Sequence, residues 1–410
     1  MTVKTIFSIK YIVLFILLFI ILYFEHTYIG PIKISQIWKV PFYVYFIHYI
    51  LENYNTNRIS VPNYVFYSFL LFFLLVVNTT EPRYYFYNLS EAFTNLTLPL
   101  SIAYFEISSR NRANNVELFV ISFSSFLILY NVPYILNILP DVNASHDLSK
   151  YGLENKSMLT GAFIHTNISS KINLIATLTV MFSKKYFDDK IIKKISYWFL
   201  IALGSYSIYL NFTRTGWILF LFGIFFILFY KERIKRLILI ATPLMFGVIL
   251  LTFVFIANNP AIMLRLLGET TYRTNESYDS NQISSGRLEI WENAIENLKK
   301  DGIAAVVLGH GVKRALFLME KSYGYSLVAH NRFIEILQFS GIIGLLLYLK
   351  VLHLIFKQVK KIRIVSGDYH SKLPLTIFLI LIISAVPSHG LPLWSEIIFG
   401  GLIVGQYSNQ

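Results

Sequence analysis

At 410 residues, 55% hydrophobic, 17% aromatic and 14% charged, with a mean hydropathy of +0.56, the chain is too apolar and too poor in charge for a soluble domain. Its net charge of +13 is spread through short connectors between apolar runs, not gathered on a basic module with interleaved aromatics, which argues against a nucleic-acid partner. The absence of cysteine excludes disulfides, thiolate metal sites and cysteine nucleophiles.

A helix needs about 20 apolar residues to cross the hydrocarbon core. Twelve runs near that length are separated by charged connectors, at roughly 8–25, 34–51, 62–78, 86–107, 116–139, 160–182, 195–211, 215–230, 237–257, 329–350, 373–389 and 391–407. The first follows Lys4 and Lys10 without a small-residue cleavage site after it, so it reads as an uncleaved span. The second is interrupted by Lys39, Pro41 and His48 and fits either a span or a helix lying on the interface. The expected fold is an all-α polytopic membrane protein of about 12 transmembrane helices with one large extracytoplasmic loop containing short helices. Residues 1–257 then hold spans one to nine, 258–330 the loop and 331–410 spans ten to twelve.

With the amino terminus in the cytoplasm, the inner connectors hold 19 Lys and Arg and the short outer ones only Lys33, Arg83, Lys150, Lys156 and Arg214. That asymmetry puts both termini inside and the long loop outside. The loop carries eight basic and eight acidic residues, so anion binding there has to come from a few placed side chains. The longest connector is external and follows the ninth span, unlike the cytoplasmic connector between the halves of a six-plus-six transporter.

Arg214, in Asn211-Phe212-Thr213-Arg214-Thr215-Gly216-Trp217, sits between two closely spaced spans. A charge at membrane depth costs from about 2.5 kcal/mol upward and normally faces a cavity or partner; snorkelling to the interface beside Trp217 is the equal alternative. Arg287 opens a short amphipathic helix, with Ser284 or Ser285 as N-cap, an apolar stripe of Leu288, Trp291, Ile295 and Leu298, and Asp301-Gly302 as the stop. A cation in the first turn opposes the helix dipole, and a bound anion would reverse that sign. A solvated pairing with Glu289 or Glu292 explains Arg287 equally well. His330 stands where the loop re-enters the membrane, suited to accept a proton near neutral pH, although a lone histidine is more often structural. His310, in Gly309-His310-Gly311, reads as part of a glycine-built turn. Metal-ligand spacings, a Walker loop and a dinucleotide fingerprint are all missing, so no metal and no cofactor are expected. Lys171 and His165 in the sixth span and Glu396 in the last are further ionisable residues at membrane depth, with no role assigned.

Thr213-Arg214-Thr215-Gly216, Ser285-Gly286-Arg287 with Trp291, Leu308-Gly309-His310-Gly311, and Ala329-His330-Asn331 with Ile334, followed by Gly341-Ile342-Ile343-Gly344, together resemble the O-antigen polymerase and O-antigen ligase superfamily. Thr160-Gly161-Ala162-Phe163 with His165 and Asn167 resembles a segment that opens a mid-chain span in these proteins. The resemblance covers roughly residues 160–350. It implies a helical C-type glycosyltransferase of the bacterial cytoplasmic membrane, acting on the outer face. Such an enzyme moves a glycan from a polyprenyl diphosphate carrier to an acceptor hydroxyl, with inversion and without a metal. By matching motif, Arg214 and Arg287 would bind the diphosphate and stabilise the leaving group, His330 would deprotonate or orient the acceptor hydroxyl, and Trp291 and Asn331 would join the substrate site. The implied partners are the polyprenyl-diphosphate-linked oligosaccharide, the bilayer and a chain-length regulator protein. A polymerase is the first expectation, a ligase to lipid A core the second. A polysaccharide flippase is the reading from another class, and it predicts charges lining a path across the membrane.

Overall fold

The structure, a computed structural model, describes residues 9–23, 28–29, 32–57, 61–78, 85–140, 159–161, 166–229, 287–323, 329–360, 373–386 and 401. The expected spans at 237–257 and, but for residue 401, at 391–407 lie outside the described residues, as do loop residues 258–286, His165 and Glu396.

Within them the regular structure is helical apart from one antiparallel pair of two-residue strands, β1 (Tyr28–Ile29) with β2 (Ile32–Lys33), and a single 3-10 turn at Lys184–Tyr186. The helices are α1 (Ile9–Tyr23), α2 (Ile34–Asn57), α3 (Asn63–Val77), α4 (Tyr85–Leu129), α5 (Val132–Ile135), α6 (Thr166–Met181), α7 (Ile191–Leu210) and α8 (Arg214–Phe229). After the undescribed stretch come α9 (Arg287–Lys300), α10 (Ile303–Leu308), α11 (Gly311–Tyr323), α12 (Arg332–Lys360) and α13 (Leu373–Ser384). Among the described residues two segments, Leu118–Ile135 and Arg332–Lys360, are long and apolar enough to cross a membrane; α3, α13 and residues 214–226 are shorter apolar helices.

Helix α2 forms despite Pro41, because one face is a ladder of aromatics. Phe46 stacks on Tyr104 at 4.4 Å between ring centroids, and the Tyr43 hydroxyl donates to the Phe93 carbonyl at 2.6 Å, which pins α2 to α4. The fourth and fifth expected spans depart from the sequence reading, since they run together as α4, a single helix of 45 residues. At 1.5 Å per residue it is about 67 Å long, more than one crossing requires. The expected connector, Ser108-Ser109-Arg110-Asn111-Arg112, contains neither glycine nor proline, so nothing in it breaks a helix.

Helix α6 is the buried centre, and its packing depends on small and polar residues, as expected where lipid tails are as apolar as the side chains they would replace. Gly204 of α7 and Gly216 of α8 lie against Thr177 and Ser170 of α6, at distances that leave no room for a Cβ. The hydroxyls of Thr177, Thr179 and Ser183 turn back onto carbonyls four residues earlier, so these polar groups are satisfied within the bundle. Farther along, Glu106 of α4 accepts from the Tyr64 hydroxyl of α3 at 2.9 Å and from the Gln358 amide of α12 at 3.0 Å, which links three helices around one buried carboxylate.

Helices α9 to α11 form a small module against the first part of α12, whose regular path is interrupted at Gly341. A core of Ala294, Met319 and Ala329 joins the module to the turn that starts α12. The apolar face of α9 is rotated from the expected stripe. Ile290, Ala294 and Leu298 pack inward, whereas Leu288 is 41% exposed. Spacing of four keeps these three on one side of the helix, and the partner surface selects that side. The expected stop at Asp301-Gly302 is present, with Gly302 at φ +94°. Ser284 and Ser285, the expected caps, lie outside the described residues.

Candidate functional site

The turn Ala329-His330-Asn331 is fixed on three sides. The Trp291 indole of α9 donates to the Ala329 carbonyl at 2.8 Å. The Asn331 side-chain oxygen accepts from the backbone N–H groups of Phe333 and Ile334 at 3.0 and 3.3 Å, so Asn331 is the N-cap of α12. The Arg332 N–H donates to the Ala385 carbonyl at 2.9 Å, just beyond the end of α13. Between these anchors His330 adopts φ +53°, a left-handed conformation that costs a non-glycine residue on the order of 1 kcal/mol and persists only when its surroundings impose it.

Arg287 and Trp291 stand one turn apart on α9, so the helix that anchors the turn also carries the guanidinium beside His330. Partial burial, and then the positive charge of Arg287, pull the imidazole down to about 4 from the usual 6.5. At neutral pH the uncharged form of His330 is therefore the favoured one. An anion bound at Arg287 would offset that repulsion and strengthen the base, which couples the two residues electrostatically.

The Leu308-Gly309-His310-Gly311 turn is built by backbone approach. Gly309 (φ +80°) meets the backbone of Phe339 and Ser340, and Gly341 (φ +64°) meets Val307 and Gly309, so a Cβ at either would collide with main chain. The His310 N–H donates to the Gln338 carbonyl at 3.0 Å, and Asn78, at the end of α3, donates to the carbonyls of Leu308 and Phe339 at 2.7 and 2.8 Å. The carbonyl left over at the interruption of α12 is thus satisfied from another helix. The His310 ring is buried, with Nδ1 3.2 Å from the Asp301 carboxylate, which also accepts a two-pronged bond from Arg314 at 3.0 and 3.1 Å. Burial lowers the His310 pKa despite the opposing pull of Asp301, and the Arg314 bond holds Asp301 below the ordinary carboxylate range. This is a strut that closes the module.

Arg214 is the first residue of α8 and is partly buried. The turn before it, with Phe212 at φ +54°, hangs on buried amides. Asn131 donates to Asn173 at 2.8 Å, and Asn211 bonds both Ser169 at 3.0 Å and the Leu159 carbonyl. Trp217 of the same motif turns inward, where its indole donates to the Ile208 carbonyl at 3.3 Å. Helix α8 packs on α6 and α13, and α13 is the helix whose end receives the Arg332 N–H. Arg287 is carried near the His330 turn by the helix whose Trp291 anchors that turn, close enough for its charge to act on the imidazole; Arg214 is linked to the same turn only through the packing of α8 on α13.

The residues that shape the site without being singled out in the sequence are Asn78, Asn95 and the Arg332–Glu335 pair. Arg332 is buried, donates to Asn95 of α4 at 2.9 Å and lies 3.6 Å from Glu335. An Arg and a Glu three residues apart at the mouth of an apolar run was the available signal. Asn78 gives none, because its role exists only where three elements meet.

A family model described as O-antigen ligase matches residues 199–349, a stretch that contains Arg214, Arg287, His310 and His330. No match is found among curated proteins.

Proposed function

We propose that this chain, which over residues 199–349 is similar to the O-antigen ligase family, is a membrane-bound surface-polysaccharide polymerase using a polyprenyl-diphosphate-linked donor. The observation that carries the reading is the turn Ala329-His330-Asn331, fixed by Trp291 of the same helix that carries Arg287 and by the Asn331 cap, with the Arg287 charge acting on the His330 imidazole. In the proposed reaction His330 takes the proton of an acceptor hydroxyl as its oxygen attacks the anomeric carbon. The bond from that carbon to the diphosphate breaks, the leaving oxygen keeps the electron pair, and the configuration inverts. A positioned base of this kind contributes about 10²- to 10⁴-fold. Arg287 and Arg214 hold the diphosphate and stabilise the charge that develops on it, with forks that match phosphate oxygens bidentately. No metal takes part. The indole N–H of Trp291 and the side-chain oxygen of Asn331 are engaged in building the turn, so their contribution to substrate binding rests on ring faces and the Asn331 amide nitrogen. The enzyme is multi-pass, with its site on the outer face of the cytoplasmic membrane and both termini inside. A ligase that delivers the glycan to lipid A core is the second reading, favoured by the description of the matching family.

The test is glycan length on gels from a deletion strain complemented at matched protein level. His330→Ala is expected to abolish long-chain product, and Arg214→Lys and Arg287→Lys to lose most of it, since lysine keeps the charge but not the fork. Near-normal polymer from His330→Ala removes it as the base. A strain that accumulates full-length lipid-linked polymer and fails only to attach it to lipid A core favours the ligase.

A further inference from the structure

We propose that α10 is not a water-exposed part of the catalytic loop but lies immersed in the adjacent membrane leaflet, in contact with acyl chains just beneath the head groups. The proposal rests on the chain being a membrane protein and not on the reaction assigned to Arg287 and His330.

The loop is otherwise rich in charge, yet from Gly302 to Val312 it carries no Lys, Arg, Asp or Glu. Within that stretch α10 turns its apolar side chains outward. Ile303 is 84% exposed, Val307 and Leu308 are exposed with it, and Ala304 shares their side, a stripe at helical spacing with only Ala305 buried. Six helical residues span about 9 Å, far short of a crossing, so the helix can lie in the interface but cannot traverse the membrane.

What covers this face follows from its neighbours. Asn78 bonds the Leu308 carbonyl, so the end of α10 sits against the end of α3. The outer surface of α3 is a stripe of exposed Phe66, Leu70, Phe73 and Val77 that runs to this point, with Val77 at 78%. On the other side, the glycine contact fixes α10 at the level of Gly341 on α12, immediately before exposed Ile342, Ile343 and Leu346. Two helices of the apolar bundle thus present outward-facing hydrocarbon up to the level of α10, and α10 continues it. An apolar surface contiguous with membrane-facing stripes is covered by the same lipid. The arrangement also explains the glycines at 309 and 341: only a backbone-to-backbone approach holds so short a helix flush with the bundle.

Because the chain has no cysteine, single-cysteine variants of the full-length protein report one position each. Ile303→Cys and Val307→Cys, labelled with an environment-sensitive fluorophore, are reconstituted in phosphatidylethanolamine–phosphatidylglycerol vesicles. Quenching by shallow and deep doxyl-labelled lipids is compared with quenching by aqueous iodide. Val77→Cys is the lipid-facing reference; Glu296→Cys and Ser322→Cys, exposed on α9 and α11, are the aqueous references. Positions 303 and 307 are expected to behave like 77, with blue-shifted emission and quenching several-fold stronger by shallow doxyl lipid than at 296 or 322. Iodide quenching at 303 and 307 equal to that at 296 and 322 overturns the proposal. So does shielding from both quenchers, accompanied by energy transfer between labelled copies, which would mean that a second chain covers the face. Two positions on one face guard against a single label that perturbs its site.

Discussion

At the scale of single residues, His330 is held in an unfavourable backbone conformation, and its surroundings disfavour its charged form. His330 is discharged by partial burial and by Arg287, so the neutral form is the one that the fold stabilises. The unfolded chain takes up that proton near 6.5, the folded one only near 4, so the folded state binds fewer protons between those values. Its contribution to stability is therefore present in full above about pH 6.5 and is lost as the pH falls toward 4. His330→Gln should flatten the pH dependence of the melting temperature across that window relative to the unaltered protein, with His310 left in place because its depressed pKa acts in the same direction. Identical pH profiles for the two proteins would mean that His330 is not held neutral. By the same conformational demand, replacement of His330 by a β-branched residue, for which φ near +53° is a true outlier, is expected to lower the melting temperature more than replacement by Asn.

At the scale of elements, the module of α9 to α11 is joined to α12 by backbone contact and by a few side-chain bonds. Gly341→Ala must place a Cβ where Val307 and Gly309 already have main-chain atoms, in a left-handed conformation that alone costs about 1 to 2 kcal/mol. A clear drop in melting temperature is expected. Asn78→Leu removes two donors and leaves the Leu308 and Phe339 carbonyls in search of partners, a loss of about 1 to 3 kcal/mol for each that stays buried. Both substitutions lie away from Arg287, so donor binding is expected to fall only in step with the folded fraction; a selective loss of binding in a fully folded variant would tie the seam directly to the substrate. His310→Ala belongs to this class, as the Asp301–His310–Arg314 strut supports the module, and it should reduce polymer length less than His330→Ala does.

At the scale of the whole molecule, the claim to be tested is topology. The Lys and Arg asymmetry of the connectors predicts that residues 258–330 lie outside the cytoplasmic membrane and that both ends lie inside. Reporter fusions after Ser280 and at Gln410 are expected to report opposite sides, and agreement between them would remove the orientation. The continuous α4 bears directly on that orientation, because a single crossing by residues 85–129 in place of two would exchange the sides of every later segment; the side reported by the fusion after Ser280, outside as the connector charges predict or inside, decides between the two.

Much of the architecture was legible because membrane helices announce themselves by composition over lengths the bilayer dictates. The boundaries of α3, α7, α8 and α13 fall within a few residues of the apolar runs at 62–78, 195–211, 215–230 and 373–389. The short helix that begins at Arg287 and stops at Asp301-Gly302 was readable from its spacing and its glycine, as were Arg287 and His330 as chemically interesting groups. The sequence could not separate the functional reading of Arg287 from a solvated pairing with Glu289 or Glu292, since spacing along one helix carries no information about what the helix faces. The tertiary structure decided which face of α9 packs inward, that the module docks through Gly309 and Gly341, and that the charge of Arg287 reaches the His330 ring. It also turned Trp291, Asn331 and Asn78 into the joints of the site. These depend on contacts between segments tens to hundreds of residues apart, and such contacts leave no periodic trace in the chain that makes them.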